Sequence, residues 1–251
     1  MNKIPFFLSL LVAGAPLTLS AAVIDLSSWK TNGPGTWKLQ SGNNAVLQSA
    51  NSPPTVYHNN INSQGQTFSF QMAVQTTQDD DYIGFVLGYQ DGDLESSSAD
   101  YLLIDWKQNT QNWSGGGTAS AGLSISHVTD ALPEGPGAWA HSFPKGVEEL
   151  QRATNLGNVG WNDNTIYSFD VTFTNALAEV FVNDKKELSV SGSFSDGAFG
   201  FYNYSQPNVL YSGVEQTPAV VPIPAAFWLF GSGLLGILGW RANVNRPRSW
   251  K

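Results

Sequence analysis

The central part of this 251-residue chain predicts an all-β fold, a jelly-roll sandwich of antiparallel sheets, on three observations. Apolar side chains recur with period two rather than 3.6, the pattern of strands with one buried face. Short clusters of Gly, Asn, Asp and Pro interrupt that pattern at close intervals. Charged residues make up only 13% of the chain while aromatics reach 12%, a mix that suits sandwiches better than helical bundles. No internal repeat of fixed period is present.

Taken in order, residues 1–22 read as a secretory signal. Lys3 supplies the positive start, residues 4–12 the apolar stretch, and Leu19-Ser20-Ala21-Ala22 the small residues for cleavage after Ala22. Residues 23–215 form the predicted domain. Phe68, Phe70, Met72 and Val74 alternate with polar or small neighbours, as do Tyr167, Phe169, Val171 and Phe173. Further strands are predicted at 82–89, 101–107, 122–128, 178–182, 187–190, 197–204 and 209–214. Asn183-Asp184, Ser195-Asp196-Gly197, Gly115-Gly116-Gly117 and Gly135-Pro136-Gly137 supply the turns. Only residues 147–153 suggest a short helix. Residues 216–251 form a terminal segment: no charge interrupts 217–240, then Arg241, Arg246, Arg248 and Lys251 follow. That is the pattern of a C-terminal transmembrane helix with a cytoplasmic basic tail.

Charge limits the partners. All 20 acidic residues lie between Asp25 and Glu215, against seven Lys or Arg in the same stretch. Such a domain lacks the basic footprint of a nucleic-acid binder, and its field concentrates cations. With no cysteine, neither a disulfide framework nor a thiolate metal site is available. The densest charge is Asp79-Asp80-Asp81, directly before the apolar run from Tyr82 to Tyr89. Adjacent like charges repel, so this loop is either open to solvent or gathered around a hard cation, for which Ca²⁺ with its oxygen ligands is suited. In an extended strand Asp79 and Asp81 share one face and Asp80 takes the other. Asp91, Asp93 and Glu95 make a second acidic loop, with the same pair of readings.

Catalytic patterns are sparse. His58, His127 and His141 have no zinc-ligand spacing, and the sequence has no Gly-x-Ser-x-Gly elbow. Glycoside hydrolysis needs two carboxylates flanking a sugar bond; Glu148-Glu149 are neighbours that face two ways on the predicted helix. A carbohydrate-active enzyme is therefore the alternative, and a non-enzymatic protein the expectation. Trp106, Trp113, Trp139 and Trp161 lie in or beside predicted loops, where an indole either stacks on sugar or is buried. Asn112-Trp113-Ser114 and Asn203-Tyr204-Ser205 match glycosylation sequons.

Four segments carry a family resemblance. They are the run from Asp79 to Gln90; Tyr101-Leu102-Leu103-Ile104-Asp105-Trp106-Lys107-Gln108 with Thr110-Gln111-Asn112-Trp113; Gly157-Asn158-Val159-Gly160-Trp161 through Tyr167; and Gly197-Ala198-Phe199-Gly200-Phe201-Tyr202-Asn203-Tyr204 through Gln206. In order and spacing they resemble the thrombospondin C-terminal domain over most of residues 60–215, with 23–60 matched weakly. The resemblance implies a lectin-like jelly roll that binds Ca²⁺, with Asp79, Asp80 and Asp81 as ligand candidates. It extends the candidate set to Asp105, at the same edge of the sheet, beside Asp91 and Asp93 of the second loop. Trp106 and Trp161 belong to the signature itself and are expected in the core, leaving Trp113 and Trp139 as carbohydrate-binding candidates. Neither the calcium-binding repeats nor the cysteines of animal thrombospondins are in this sequence, so their receptor binding is not carried over.

A second resemblance lies in the tail. Val221-Pro222-Ile223-Pro224, the apolar stretch after it and Arg241 resemble a PEP-CTERM sorting signal, with Ile223 where that family has glutamate. This implies export in a Gram-negative, biofilm-forming bacterium and recognition by an exosortase-type membrane protease. The tail is then either clipped or kept as a membrane anchor. The combined expectation is a Ca²⁺-binding adhesion or matrix protein at the cell envelope, with extracellular polysaccharide as a partner.

Overall fold

A computed structural model describes residues 21–142 and 146–219. The sorting-motif residues Val221, Pro222, Pro224 and Arg241, and the expected transmembrane helix, lie outside the described residues. Among the described residues no helix is long and apolar enough to cross a membrane.

Five short strands come first: β1 (Ala22–Val23), β2 (Lys30–Asn32), β3 (Trp37–Leu39), β4 (Ala45–Gln48) and β5 (Thr55–His58). Three long ones follow, β6 (Gln66–Val74), β7 (Tyr82–Tyr89) and β8 (Tyr101–Lys107), then the small hairpin of β9 (Gln111–Trp113) and β10 (Gly117–Ala119). After β11 (Gly122–Val128) come the helix α1 (Pro136–Ala140) and β12 (Val147–Arg152). The chain closes with β13 (Tyr167–Phe173), β14 (Leu177–Val182), β15 (Lys185–Ser191), β16 (Ala198–Tyr204) and β17 (Val209–Pro218).

These strands build the expected antiparallel sandwich. One sheet runs β15-β14-β13-β6-β17-β4-β3, with β1 on β17, and the other runs β12-β11-β8-β7-β16-β5-β2. Between them lie Phe68, Phe70 and Met72 of β6, Phe169 and Val171 of β13, Phe85 of β7, Ile104 and Trp106 of β8, and Phe199 and Phe201 of β16. Burying each such side chain contributes about 1.5–3 kcal/mol. Phe70 stacks on Phe169 at 5.4 Å between ring centroids and meets Phe85 edge-on at 5.2 Å. Asn183 and Asp184, with φ of 48° and 63°, form the mirrored two-residue turn between β14 and β15.

The central strands of the second sheet are buried on both faces. Every residue of β7, β8 and β16 is buried. Its outer face carries Tyr82, Val86, Tyr101, Leu103, Tyr202 and Tyr204, roofed by a cover from the 90–99 and 129–142 segments that brings Leu94, Leu132, Ala138 and Trp139 onto it. Tyr82 pins this cover by donating its hydroxyl to the Trp139 carbonyl at 2.6 Å. Gly84 is required beneath it, because a Cβ there would collide with the Ile104 carbonyl of β8.

Two local expectations are corrected. Residues 147–153 do not form a helix: Val147–Arg152 is the strand β12, paired antiparallel with β11 through a bulge at Ile125/Ser126. The helix formers Glu148, Glu149, Leu150 and Gln151 have weak intrinsic preference, and the unpaired edge of β11 supplies backbone partners that override it. The predicted turn at Gly135–Gly137 opens α1, with Pro136 at its first position and Gly135 as N-cap.

Candidate metal centre

The acidic run sits where the chain enters β7. Asp79, Asp80 and Asp81 each bring one carboxylate oxygen within 4.8 Å of the others. Two oxygens bound to one Ca²⁺ at about 2.3–2.6 Å lie no more than about 5 Å apart, so the three fit a single calcium shell. The loop is fixed by its backbone. Asp81 N–H donates to Gln206 Oε1 at 3.0 Å, and Trp161 Nε1 donates to the Asp81 carbonyl at 3.1 Å. Asp80 N–H donates to Asp79 Oδ1 at 3.1 Å, and Asn51 Nδ2 to Asp79 Oδ2 at 2.5 Å.

One cation of the protein already stands here. The Lys107 ammonium, fully buried, lies 2.6 Å from Asp81 Oδ1 and 3.7 Å from Asp80 Oδ1. Its donors reach the Asp80 carbonyl at 3.0 Å, Asp81 Oδ1, and Gln111 Oε1 at 2.5 Å. An ammonium has three donors, so the set is complete. It also lies 4.7 Å from the Trp139 ring centroid and 5.4 Å from that of Tyr82. Three carboxylates against one ammonium leave negative charge in excess. Burial, then the Asp81 charge, push the Asp79 carboxyl above its ordinary range. Oxygen donors with that surplus suit a divalent cation.

Lys107 was not among the sequence candidates. Its signal was faint: one of few basic residues in the domain, ending a strand that is apolar or aromatic but for Asp105. The antiparallel register that sets Lys107 opposite Tyr82 brings it to Asp81.

The other candidate ligands lie elsewhere. Asp105, on the covered face of β8, accepts from Ser124 Oγ at 3.4 Å and lies 3.0 Å from His141 Nε2. Glu149 Oε2 is 3.9 Å from the other nitrogen of His141. Burial opposes charge on this imidazole, but Asp105 and Glu149 together outweigh it and raise the pKa to about 9. Asp91 accepts from Lys30 Nζ at 2.8 Å and Asn32 Nδ2 at 3.0 Å, and these bonds hold its pKa at about 2. Asp93 accepts from the Gln90 N–H at 2.7 Å and closes a turn.

Trp106 and Trp161 are core residues, as expected. Trp139 is buried as well, donating to the Gly117 carbonyl at 3.1 Å, with half-buried Trp113 edge-on at 5.7 Å. Lys107, Tyr82 and Tyr204 pack around the Trp139 ring, which leaves Trp113 as the more open indole of the pair. Ser195, Asp100 and His127 also come together, with Asp100 in the middle: Ser195 Oγ donates to it at 2.5 Å, and His127 Nε2 lies 2.6 Å away. In that order a carboxylate, rather than an imidazole, accepts from the serine hydroxyl. Asn203, of the second sequon, is fully buried.

Residues 32–218 match the family model of the thrombospondin C-terminal region. The chain belongs to that family. Thrombospondin-2 of Gallus gallus is 30% identical over 196 residues, covering 71% of this chain and 16% of that protein. Thrombospondin-3 of Homo sapiens is 26% identical over 196 residues, covering 71% and 20%. This thrombospondin C-terminal chain thus spans no more than a fifth of the length of those relatives. Two solved structures share the sandwich. The carbohydrate-binding module CBM66 from Bacillus subtilis has a TM-score of 0.53 at 10% identity, over 76% of this chain and 95% of that one. The VIP36 exoplasmic/lumenal domain, in a form bound to Ca²⁺ and Man3GlcNAc, has a TM-score of 0.53 at 12% identity, over 82% and 92%. At these identities the likeness establishes a lectin-like fold.

Proposed function

We propose that this thrombospondin C-terminal domain is an exported, Ca²⁺-binding, non-enzymatic adhesion or matrix module. The observation that carries the reading is the convergence of the Asp79, Asp80 and Asp81 carboxylates within 4.8 Å, with a single ammonium to offset them. Asp79, Asp80 and Asp81 would hold the ion, which supplies charge neutralisation at the entry to β7. Family membership and the lectin-like fold support the same assignment. In this reading the ion also joins the domain to an acidic extracellular polysaccharide. The tail bearing Val221, Pro222, Pro224 and Arg241 directs the chain to an exosortase-type protease at the envelope of a Gram-negative bacterium, where the chain stays anchored or is released.

Thermal melting of the purified domain in EGTA and in millimolar CaCl₂, together with its bound-metal content, tests the assignment. Ligand at 100 times its Kd stabilises a fold by about 2.7 kcal/mol, so a rise in Tm of several degrees is expected. It should be lost in Asp79→Asn with Asp81→Asn. An unchanged Tm and no bound metal would overturn the calcium assignment. Incubation with acidic and neutral polysaccharides is expected to give retention without cleavage; release of reducing ends would move the protein to the enzyme class.

A further inference from the structure

The buried Lys107 does more than complete an ion pair. Its ammonium joins two places distant in sequence. On one side are the Asp80 carbonyl and Asp81 Oδ1, at 3.0 and 2.6 Å; on the other is the Trp139 ring of the cover, at 4.7 Å. No side chain but Lys107 is both bonded to the acidic run and packed on that indole among the described contacts. The Tyr82 ring beside it is bonded in turn to the Trp139 backbone.

Resting on the calcium reading above, we infer that Lys107 is an internal competitor for the metal site and the link by which ion occupancy reaches the cover. A divalent ion among Asp79, Asp80 and Asp81 meets a fixed positive charge that already holds Asp81. Like charges a few ångströms apart in a poorly screened interior repel strongly. Lys107 therefore weakens ion binding, and keeps the loop ordered when the ion is gone. When the ion binds, the hold of Lys107 on Asp81 loosens and its contact with Trp139 changes.

Calorimetric titration of CaCl₂ into the purified full chain and into Lys107→Gln tests this, with near-UV circular dichroism as a second readout. The glutamine keeps hydrogen-bonding capacity and removes the charge. Expected are Ca²⁺ binding about tenfold tighter or more in Lys107→Gln, and a calcium-induced near-UV change in the native chain that is lost in Lys107→Gln and in Trp139→Phe. Equal or weaker binding by a folded Lys107→Gln overturns the competitor role while leaving the calcium reading intact. A near-UV change that persists in both variants overturns the link to the cover. If neither chain binds Ca²⁺, the calcium reading fails and the inference falls with it. Binding by the variant alone would overturn the calcium reading for the native chain, and with it the link from ion occupancy to the cover.

Discussion

The two sheets of the sandwich treat polar residues in opposite ways. In β13 and β14 burial alternates: Tyr167, Phe169, Val171 and Phe173 point inward, while Ser168, Asp170 and Thr172 face outward. There the polar pairs are simple neighbours, with Thr67 beside Thr172 at 3.0 Å and Ser69 donating to Asp170 at 2.5 Å. In β7, β8 and β16 both faces are covered, so alternation no longer separates core from solvent. Tyr82, Asp105, Lys107 and Tyr202 are polar residues trapped under the cover, and each must find a partner there or go without. The same alternating backbone thus yields a wetted face in one sheet and a buried electrostatic network in the other.

Breaking the two kinds of ion pair separates them most. Lys107→Met leaves Asp81 charged and enclosed without its cation. A loss of about 3–5 kcal/mol is expected, measured by urea unfolding in EGTA; a loss below about 1 kcal/mol would mean that water already reaches Asp81. Next is the protonated His141 held by Asp105. Its pKa of about 9, above the ordinary 6.5, means its contribution is complete below pH 6.5 and is lost as pH rises through 9. The shift is on the order of 3 kcal/mol. His141→Asn tolerates the left-handed backbone at this position, where φ is 47°. The stability gap between native chain and variant should close between pH 6.5 and 9; a gap independent of pH would remove the charged imidazole from the account.

Smaller effects sharpen the contrast. The Tyr202 hydroxyl is buried with no hydrogen-bond partner among the described residues. Removing an unsatisfied polar group is close to neutral or stabilising, so Tyr202→Phe should change stability by less than about 1 kcal/mol or raise it. A larger loss would reveal an ordered water serving that hydroxyl. Least of all, Lys186→Met on the open sheet breaks a pair with Glu179 in which the lysine side chain is 52% exposed. The expected change is within about 0.5 kcal/mol.

Much of this architecture was legible from residue order. The strand from Tyr82 to Tyr89 and the alternation from Phe68 to Val74 carry their own signal, as does the Asn183-Asp184 turn. The strands before His58 did not, because runs of two to four residues are too short to display a period. Val147–Arg152 misled for a different reason: its local preference favoured a helix, while its partner, β11, lies almost twenty residues back in the chain. At the candidate site, three adjacent aspartates were conspicuous. Asp105 was drawn toward them by its place in a signature segment, yet its carboxylate faces His141.

Taken alone, the amino-acid order determined a two-sheet sandwich, an acidic domain without cysteine, and a dense carboxylate run at the mouth of β7. Only the tertiary structure decided that Lys107 stands against that run, that Trp139 is roofed over rather than open, and that Asp105 belongs to a separate buried pair. The reason is physical. Side-chain alternation is a property of neighbouring residues, whereas charge compensation in a covered sheet depends on register between strands and on which loop folds across them.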